Sequence, residues 1–303
     1  MVENQKKGSV HIGEILYHYC QADSFDKIIS NRAVRLTDVR KSNDYGEVVG
    51  AGDVILKLFC NICQSYLTDQ QIPEERFSPA ERYVKSAYVR HCQICYWLAF
   101  CLTSLEDNLG QWREYGRNAG YAIGFDAEYL RRKAEEHRCY HFSPIIYWEA
   151  NDIKNFYSIA EDLMRTLIRT EERAGLNNRS GKLRPDVKQE INQWLYRVID
   201  KMPFYKSKDF EAEKETRFCY VRTVFPQQFD CISPESSLNN FDCMINGTEA
   251  KMYLTFPFDP EAVKAIWIGP KVNVSVNEMR VYLAIKGFDS NRIDIHKSKI
   301  TMQ

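Results

Sequence analysis

The sequence predicts one α+β domain, and three observations carry that reading. Short apolar runs of strand length recur from ILYHYC, residues 15–20, to RIDIHKSKI, residues 292–300. Between them lie longer stretches whose apolar residues repeat at helical spacing. No composition shift, internal repeat or low-complexity tract marks a boundary between units.

Composition bounds the function classes. Of the 303 residues, 44% are apolar, and sixteen Phe, eighteen Tyr and five Trp supply a large core. Fourteen Gly and ten Pro are too few for a loop-dominated chain. Lys plus Arg equals Asp plus Glu, 41 against 41. That balance does not predict a general nucleic-acid or membrane binder. No stretch approaches the roughly 18 apolar residues of a membrane span. The N-terminal MVENQKKGSVHIGEILYHY lacks the continuous apolar region of a secretory signal. A cytoplasmic protein is expected, with its ten cysteines as free thiols.

The elements follow in order. Residues 1–10 read as a polar, disordered tail, and 11–303 as the domain. GEILYHYC is a first strand. SFDKIISNR is a short helix with Asp23 or Ser24 as its cap. VRLTDV is a second strand. NDYGE opens a long helix, with Asp44 and Glu47 at capping-box spacing. ERYVKSAYVRHCQICYWLAFCLTS begins as a helix and ends as a strand. YAIGF is a buried strand, AEYLRRKAEEH a charged surface helix, and YHFSPIIYW one further strand. Residues 152–174 and 186–202 read as helices, joined by the loop GLNNRSGKLRP as a flexible excursion. EKETRFCYVRTVF, KMYLTFPF and VKAIWIGP are strands. VNEMRVYLAIKGF is a helix and RIDIHKSKI a closing strand. A helical insertion thus occupies about 127–205.

Several constellations can carry chemistry. In ILYHYC, alternation places Leu16, His18 and Cys20 on one face, and Tyr17 and Tyr19 on the other. His18 either donates to a ligand or is satisfied by backbone. In LTSLEDNLGQWREYG, Thr103 and Ser104 end a strand, Asp107 or Asn108 caps a short helix, and Gly116 and Gly120 turn the chain back. Trp112 either stacks on a ligand ring or wedges the helix onto the sheet. In FEAEKETRF, an extended backbone would put Glu211, Glu213, Glu215 and Arg217 on one face. Arg217 would keep the carboxylates ionised; a solvated edge strand is the alternative. Cys60, Cys63, Cys92 and Cys95 imitate a four-thiolate zinc site. Their apolar, continuous flanks favour buried thiols instead, so no metal is expected. Dinucleotide, P-loop, zinc-protease and serine-hydrolase signatures are absent.

LYHY, SNDYGE, LTSLEDNLGQWREYG with GYAIGFD, FEAEKETRF, and VKAIWIGPKV with IHKSKI together resemble a bacterial family, "domain of unknown function 2971". The chain also resembles, more distantly, the ADP-ribosyltransferases. LYHYCQADSFDKIISNRAVRL is similar to the first strand and helix of DarT-type enzymes, FCLTS to a Ser-Thr-Ser strand, and EKE at 213–215 to a Glu-x-Glu element. It departs in pairing His18 with EKE, in lacking the full Ser-Thr-Ser triplet, and in the insertion.

The second resemblance implies a split β-sheet core surrounded by helices, with NAD as substrate and a protein or nucleic-acid acceptor, or water. The implied context is bacterial, antiphage defence or toxicity. His18 would bond the adenosine-side ribose, and Thr103 or Ser104 would support the nicotinamide ribose. Tyr19 or Trp112 would stack near the nicotinamide, with Arg217 at the same site. Glu215 would stabilise the cationic transition state and Glu213 would orient the acceptor. On this reading Glu215→Gln abolishes NAD turnover with the melting temperature nearly intact. A non-catalytic module sensing a nucleotide or a phage component is the other expectation. The acceptor and the oligomeric state are not specified by the sequence.

Overall fold

A mixed sheet forms the centre of the computed structural model, which describes residues 14–41, 47–117, 119–149, 154–223, 241–246 and 248–301. The N-terminal tail and the cap at Asn43 and Asp44 lie outside these residues. Its first half contains β1 (Ile15–Cys20), α1 (Ala22–Asn31), β2 (Ala33–Asp38), α2 (Glu47–Asp69), α3 (Ser78–Ile94), β3 (Cys95–Thr103), α4 (Leu109–Glu114) and β4 (Tyr121–Asp126). The middle contains α5 (Ala127–Glu135), β5 (Tyr140–Pro144), β6 (Ile146–Trp148), α6 (Lys154–Ala174) and α7 (Pro185–Lys201). The last part contains β7 (Tyr205–Ser207), β8 (Glu215–Thr223), β9 (Phe241–Asn246), β10 (Glu249–Pro257), β11 (Val263–Ile268), α8 (Val276–Ile285) and β12 (Asp294–Lys297). The fold is α+β, as the sequence predicts.

The strand order is β12-β11-β4-β1-β3-β2-β10-β9, with β8 also on β3 and β5 on β8. β8 runs antiparallel to β3 along its whole length, from Cys95↔Thr223 to Thr103↔Glu215. The opposite edge of β3 is shared. β2 meets it at Ala99 and Leu98, and β1 meets it only at Tyr17↔Thr103. β1 is otherwise paired to β4, from Ile15↔Asp126 to Cys20↔Tyr121. The sheet therefore parts between β1 and β3.

Alternation distributes the core over both faces. One face is a continuous cluster, in which Leu16, Leu98, Phe100, Phe218 and Ile266 pack under α1, α5 and α8. The other face carries two clusters. Trp97, Ala99, Cys219 and Val221 pack with α2, α3, α6 and α7. Tyr17, Tyr19, Trp112, Ala122, Ala265 and Trp267 form a smaller one. The Trp97 indole N–H donates to the Ile199 carbonyl at 2.9 Å, tying α7 to the sheet.

Five local expectations are corrected. α1 starts at Ala22 after Gln21, with no side-chain cap, so Asp23 and Ser24 lie inside its first turn rather than at the cap. YHFSPIIYW is two strands: β5 joins β8, while β6 pairs with β7 in a separate parallel sheet. Residues 175–184 are no excursion: the Asn178 side chain accepts from the Ser180 and Lys182 amides, and Arg184 binds the Ala174 and Gly175 carbonyls. Lys208–Glu213 is a 3-10 turn, not strand, and Lys214 closes it at φ 45°. β8, with β3 and β5 on its two sides, is no solvated edge. β9, which the sequence reading omits, pairs with β10.

Candidate functional site

Where β1 and β3 part, a cavity of about 60 Å³ opens, well below the ~300–1,000 Å³ usual for sites that enclose a whole ligand. β1 contributes Tyr17, His18 and Tyr19. β3 contributes Cys101, Leu102 and Thr103. α4 and its C-cap contribute Gln111 and Tyr115, and the segment entering β8 contributes Glu213 and Glu215. Three stretches distant in sequence, residues 17–19, 101–115 and 213–215, thus meet around one space.

His18 bridges the gap that the parted strands leave. Its Nδ1 lies 2.9 Å from the Cys101 carbonyl. A carbonyl only accepts, so Nδ1 carries the proton. Burial lowers the His18 pKa, against a smaller upward pull from that bond. The ring is therefore neutral at pH 7, and Nε2 keeps a lone pair. His18 can accept from a ligand hydroxyl there, whereas the expected donation is already made to backbone.

The acidic wall is a buried ion cluster. Register places Glu215 beside Thr103 and Arg217 beside Cys101. Glu215 Oε1 accepts from Arg217 Nε at 2.6 Å, and Oε2 from Arg217 Nη2 at 3.1 Å and Lys206 Nζ at 3.2 Å. Lys206 also donates to Glu213 Oε2 at 2.7 Å. Tyr115 Oη donates to Glu213 Oε1 at 2.8 Å. Burial pushes the Glu215 pKa up, but Arg217 and then Lys206 more than offset it, and the carboxyl falls to about 2. Two carboxylates and two cations leave the cluster formally neutral. The Glu215 side chain is 7% exposed and that of Glu213 20%, so Glu213 is the more open to a ligand.

The remaining expected residues divide. Thr103 lines the cavity, but its hydroxyl donates to the Glu213 carbonyl at 2.6 Å and accepts from the Leu105 amide. It therefore has no proton for a ribose. Tyr19 lines the cavity with its ring, while its hydroxyl donates to the Leu105 carbonyl. Ser104 is exposed and outside the lining. Arg217 is 2% exposed and also outside it, so it acts through Glu215. Trp112 is fully buried. Its indole N–H donates to Asp107, and its ring meets the edge of Tyr19. It wedges α4 onto the sheet and stacks on no ligand. The connection still forms a wall, through Gln111 and Tyr115. Glu211 faces solvent, because the 3-10 turn breaks the alternation that would align it.

Tyr17, Cys101, Gln111 and Tyr115 of the lining, and Lys206 beside it, are not among the candidates that the sequence offers. Lys206 is 6% exposed and lies over the Phe210 ring. Its signal was a lysine beside PFY and before a further aromatic, a setting that can bury the stem. The Cys101 thiol opens onto the cavity, and its pKa is raised by burial and then by Glu215.

The cysteine pairs do not assemble. The Cys60 thiol neighbours Glu81 and Lys85, whereas Cys92 neighbours Tyr88 and Asp53. Cys95 is already in β3, so the second pair straddles a helix–strand junction. Among the described residues, no group of three or more His, Cys, Asp or Glu could hold a metal ion. Among the same residues, no helix is long and apolar enough to cross a membrane.

Residues 111–218 match the model of a family described as Protein of unknown function (DUF2971). The match runs from α4 into β8 and includes Tyr115, Lys206, Glu213, Glu215 and Arg217. It bears out the first resemblance over that segment. No curated protein and no solved structure matches the chain.

Proposed function

We propose, from the premise that residues 111–218 are a DUF2971 segment, that this chain is an ADP-ribosyltransferase-like enzyme that cleaves NAD. One observation carries the reading: a neutral histidine from the first strand lines one cavity with Glu213 and the ionised Glu215 of the late segment, at a split in the sheet. In that chemistry the C1′–N bond to nicotinamide breaks, and its electron pair leaves with the ring. Positive charge develops on the ribose. A fixed carboxylate stabilises such charge most in a site shielded from water. Glu215 is held in place by Arg217 and Lys206, and Glu213 is placed to take the proton of the attacking hydroxyl or water. His18 Nε2 accepts from a ribose hydroxyl. A cytoplasmic role in bacterial antiphage defence is the context we infer, with a protein or nucleic-acid acceptor.

A second reading is favoured by one feature. Both Glu215 oxygens are already engaged by cations, which suits a module that senses a nucleotide without turning it over.

Incubation with labelled NAD, alone and with bacterial lysate, separates the two. The enzyme releases nicotinamide, and Glu213→Gln lowers that rate by about 100-fold or more, the usual scale for a positioned acid–base group. Thermal stabilisation by NAD without nicotinamide release would establish the sensing module and reject the enzyme.

A further inference from the structure

We propose that Tyr115 is itself an acceptor, so that the enzyme attaches ADP-ribose to its own phenol. The inference rests on the NAD-cleaving reading above and adds the acceptor chemistry. If Glu213 takes the acceptor's proton, the acceptor atom must lie within hydrogen-bond distance of Glu213. The Tyr115 hydroxyl stands there, donating to Oε1 at 2.8 Å.

The other cavity hydroxyls point their protons elsewhere. Tyr17 donates to Glu106, outside the lining, at 3.0 Å. Tyr19 donates to the Leu105 carbonyl at 2.9 Å, and Thr103 to the Glu213 carbonyl at 2.6 Å. Among the described residues, Tyr115 alone of the cavity hydroxyls donates to a carboxylate in the lining.

Its placement is also firm. The Tyr115 amide bonds the Gln111 carbonyl at 3.0 Å at the end of α4. The hydrogen-bonded wedge of Trp112 anchors the same helix. Tyr115 is 38% exposed, so a bulky adduct has a way out to solvent. The phenol remains protonated at neutral pH, since burial and Glu213 both raise its pKa. Its proton is therefore transferred only as the new bond forms.

The step balances without a further reagent. The C1′–N bond breaks and nicotinamide departs with the electron pair. A lone pair of Tyr115 Oη forms the C1′–O bond, and the phenolic proton passes to Glu213. The product is an aryl O-glycoside. Its attachment removes the hydroxyl from Glu213, so the reaction can occur once per chain.

The test incubates the full-length protein with NAD labelled in the adenylate phosphate. Nicotinamide release, protein-bound label and free ADP-ribose are measured together, and the adduct is mapped by fragmentation. The expected result is label on Tyr115, stable to neutral hydroxylamine, which cleaves carboxylate esters. Tyr115→Phe should lower label per nicotinamide released by at least about tenfold. Mapping on the wild-type chain does not depend on the variant folding. Nicotinamide release with all label in free ADP-ribose, or on Cys101 or another residue, overturns this inference and leaves the NAD reading intact. No nicotinamide release overturns both.

Discussion

Glu215 shows how a single buried charge ties stability to the site. The sequence suggested that Glu215→Gln would spare the melting temperature, but the structure argues the opposite. The side chain is the common partner of Arg217 and Lys206, both nearly inaccessible. Removing it leaves two buried cations short of an anion, which costs about 3–5 kcal/mol. Linkage gives a similar size. The folded carboxyl sits near 2 against an ordinary 4.5, so its contribution is on the order of 3 kcal/mol. Because the folded value is depressed, that stability is complete above pH 4.5 and is lost as pH falls towards 2. Urea unfolding should therefore show a large gap between wild type and Glu215→Gln at pH 7, narrowing between pH 4.5 and 2. A constant gap would mean that Glu215 is not ionised within this cluster. Loss of activity in this variant would also confound chemistry with folding, which makes the more exposed Glu213 the better functional probe.

At the scale of elements, what the sequence revealed depended on local physics. β1 was legible because each face of ILYHYC has its own apolar cluster to enter, so the run is apolar or aromatic almost throughout. The α3–β3 junction was legible because period 3.6 gives way to an apolar run. The acidic segment was not. Lys214 adopts a left-handed conformation, and nothing in the letters EKE announces it. Glu213 and Glu215 consequently meet through Lys206 rather than by alternation. Lys206 was hidden for a related reason: a lysine in a short sequence window reads as surface until its partners are known. The α4–β4 connection carries a sharper test. The Gly120 carbonyl accepts from the Gly269 amide at 2.9 Å. A Cβ on Gly120 would overlap the Cys20 carbonyl oxygen and meet the Gly116 Cα at 2.9 Å. Backbone cannot swing aside as a side chain can. Gly120→Ala should destabilise by at least about 1–3 kcal/mol, with the denaturant midpoint as the readout. An unchanged midpoint would show that β1 and β4 do not approach this closely.

At the scale of the whole molecule, the residues between β4 and β8 share a buried core with strands that carry the site. α6 and α7 do not pack only on each other. Phe156, Leu163, Leu195 and Ile199 share one buried cluster with Trp97 and Ala99 of β3 and with Cys219 and Val221 of β8. β3 and β8 also carry Thr103 and Glu215, which line the cavity on the same face of the sheet. The chain leaving α7 supplies the Pro203 carbonyl to Arg217 at 2.8 Å and then Lys206 to both glutamates. Packing in this segment therefore supports the electrostatics of the cavity. Leu195 is fully buried on α7, and Leu195→Ala should cost about 2–5 kcal/mol. Calorimetry of the wild type should give one transition, and the variant should move that whole transition downwards. Two transitions, with only one displaced by Leu195→Ala, would show that the helical segment folds as a separate unit. The site would then be supported by the sheet alone.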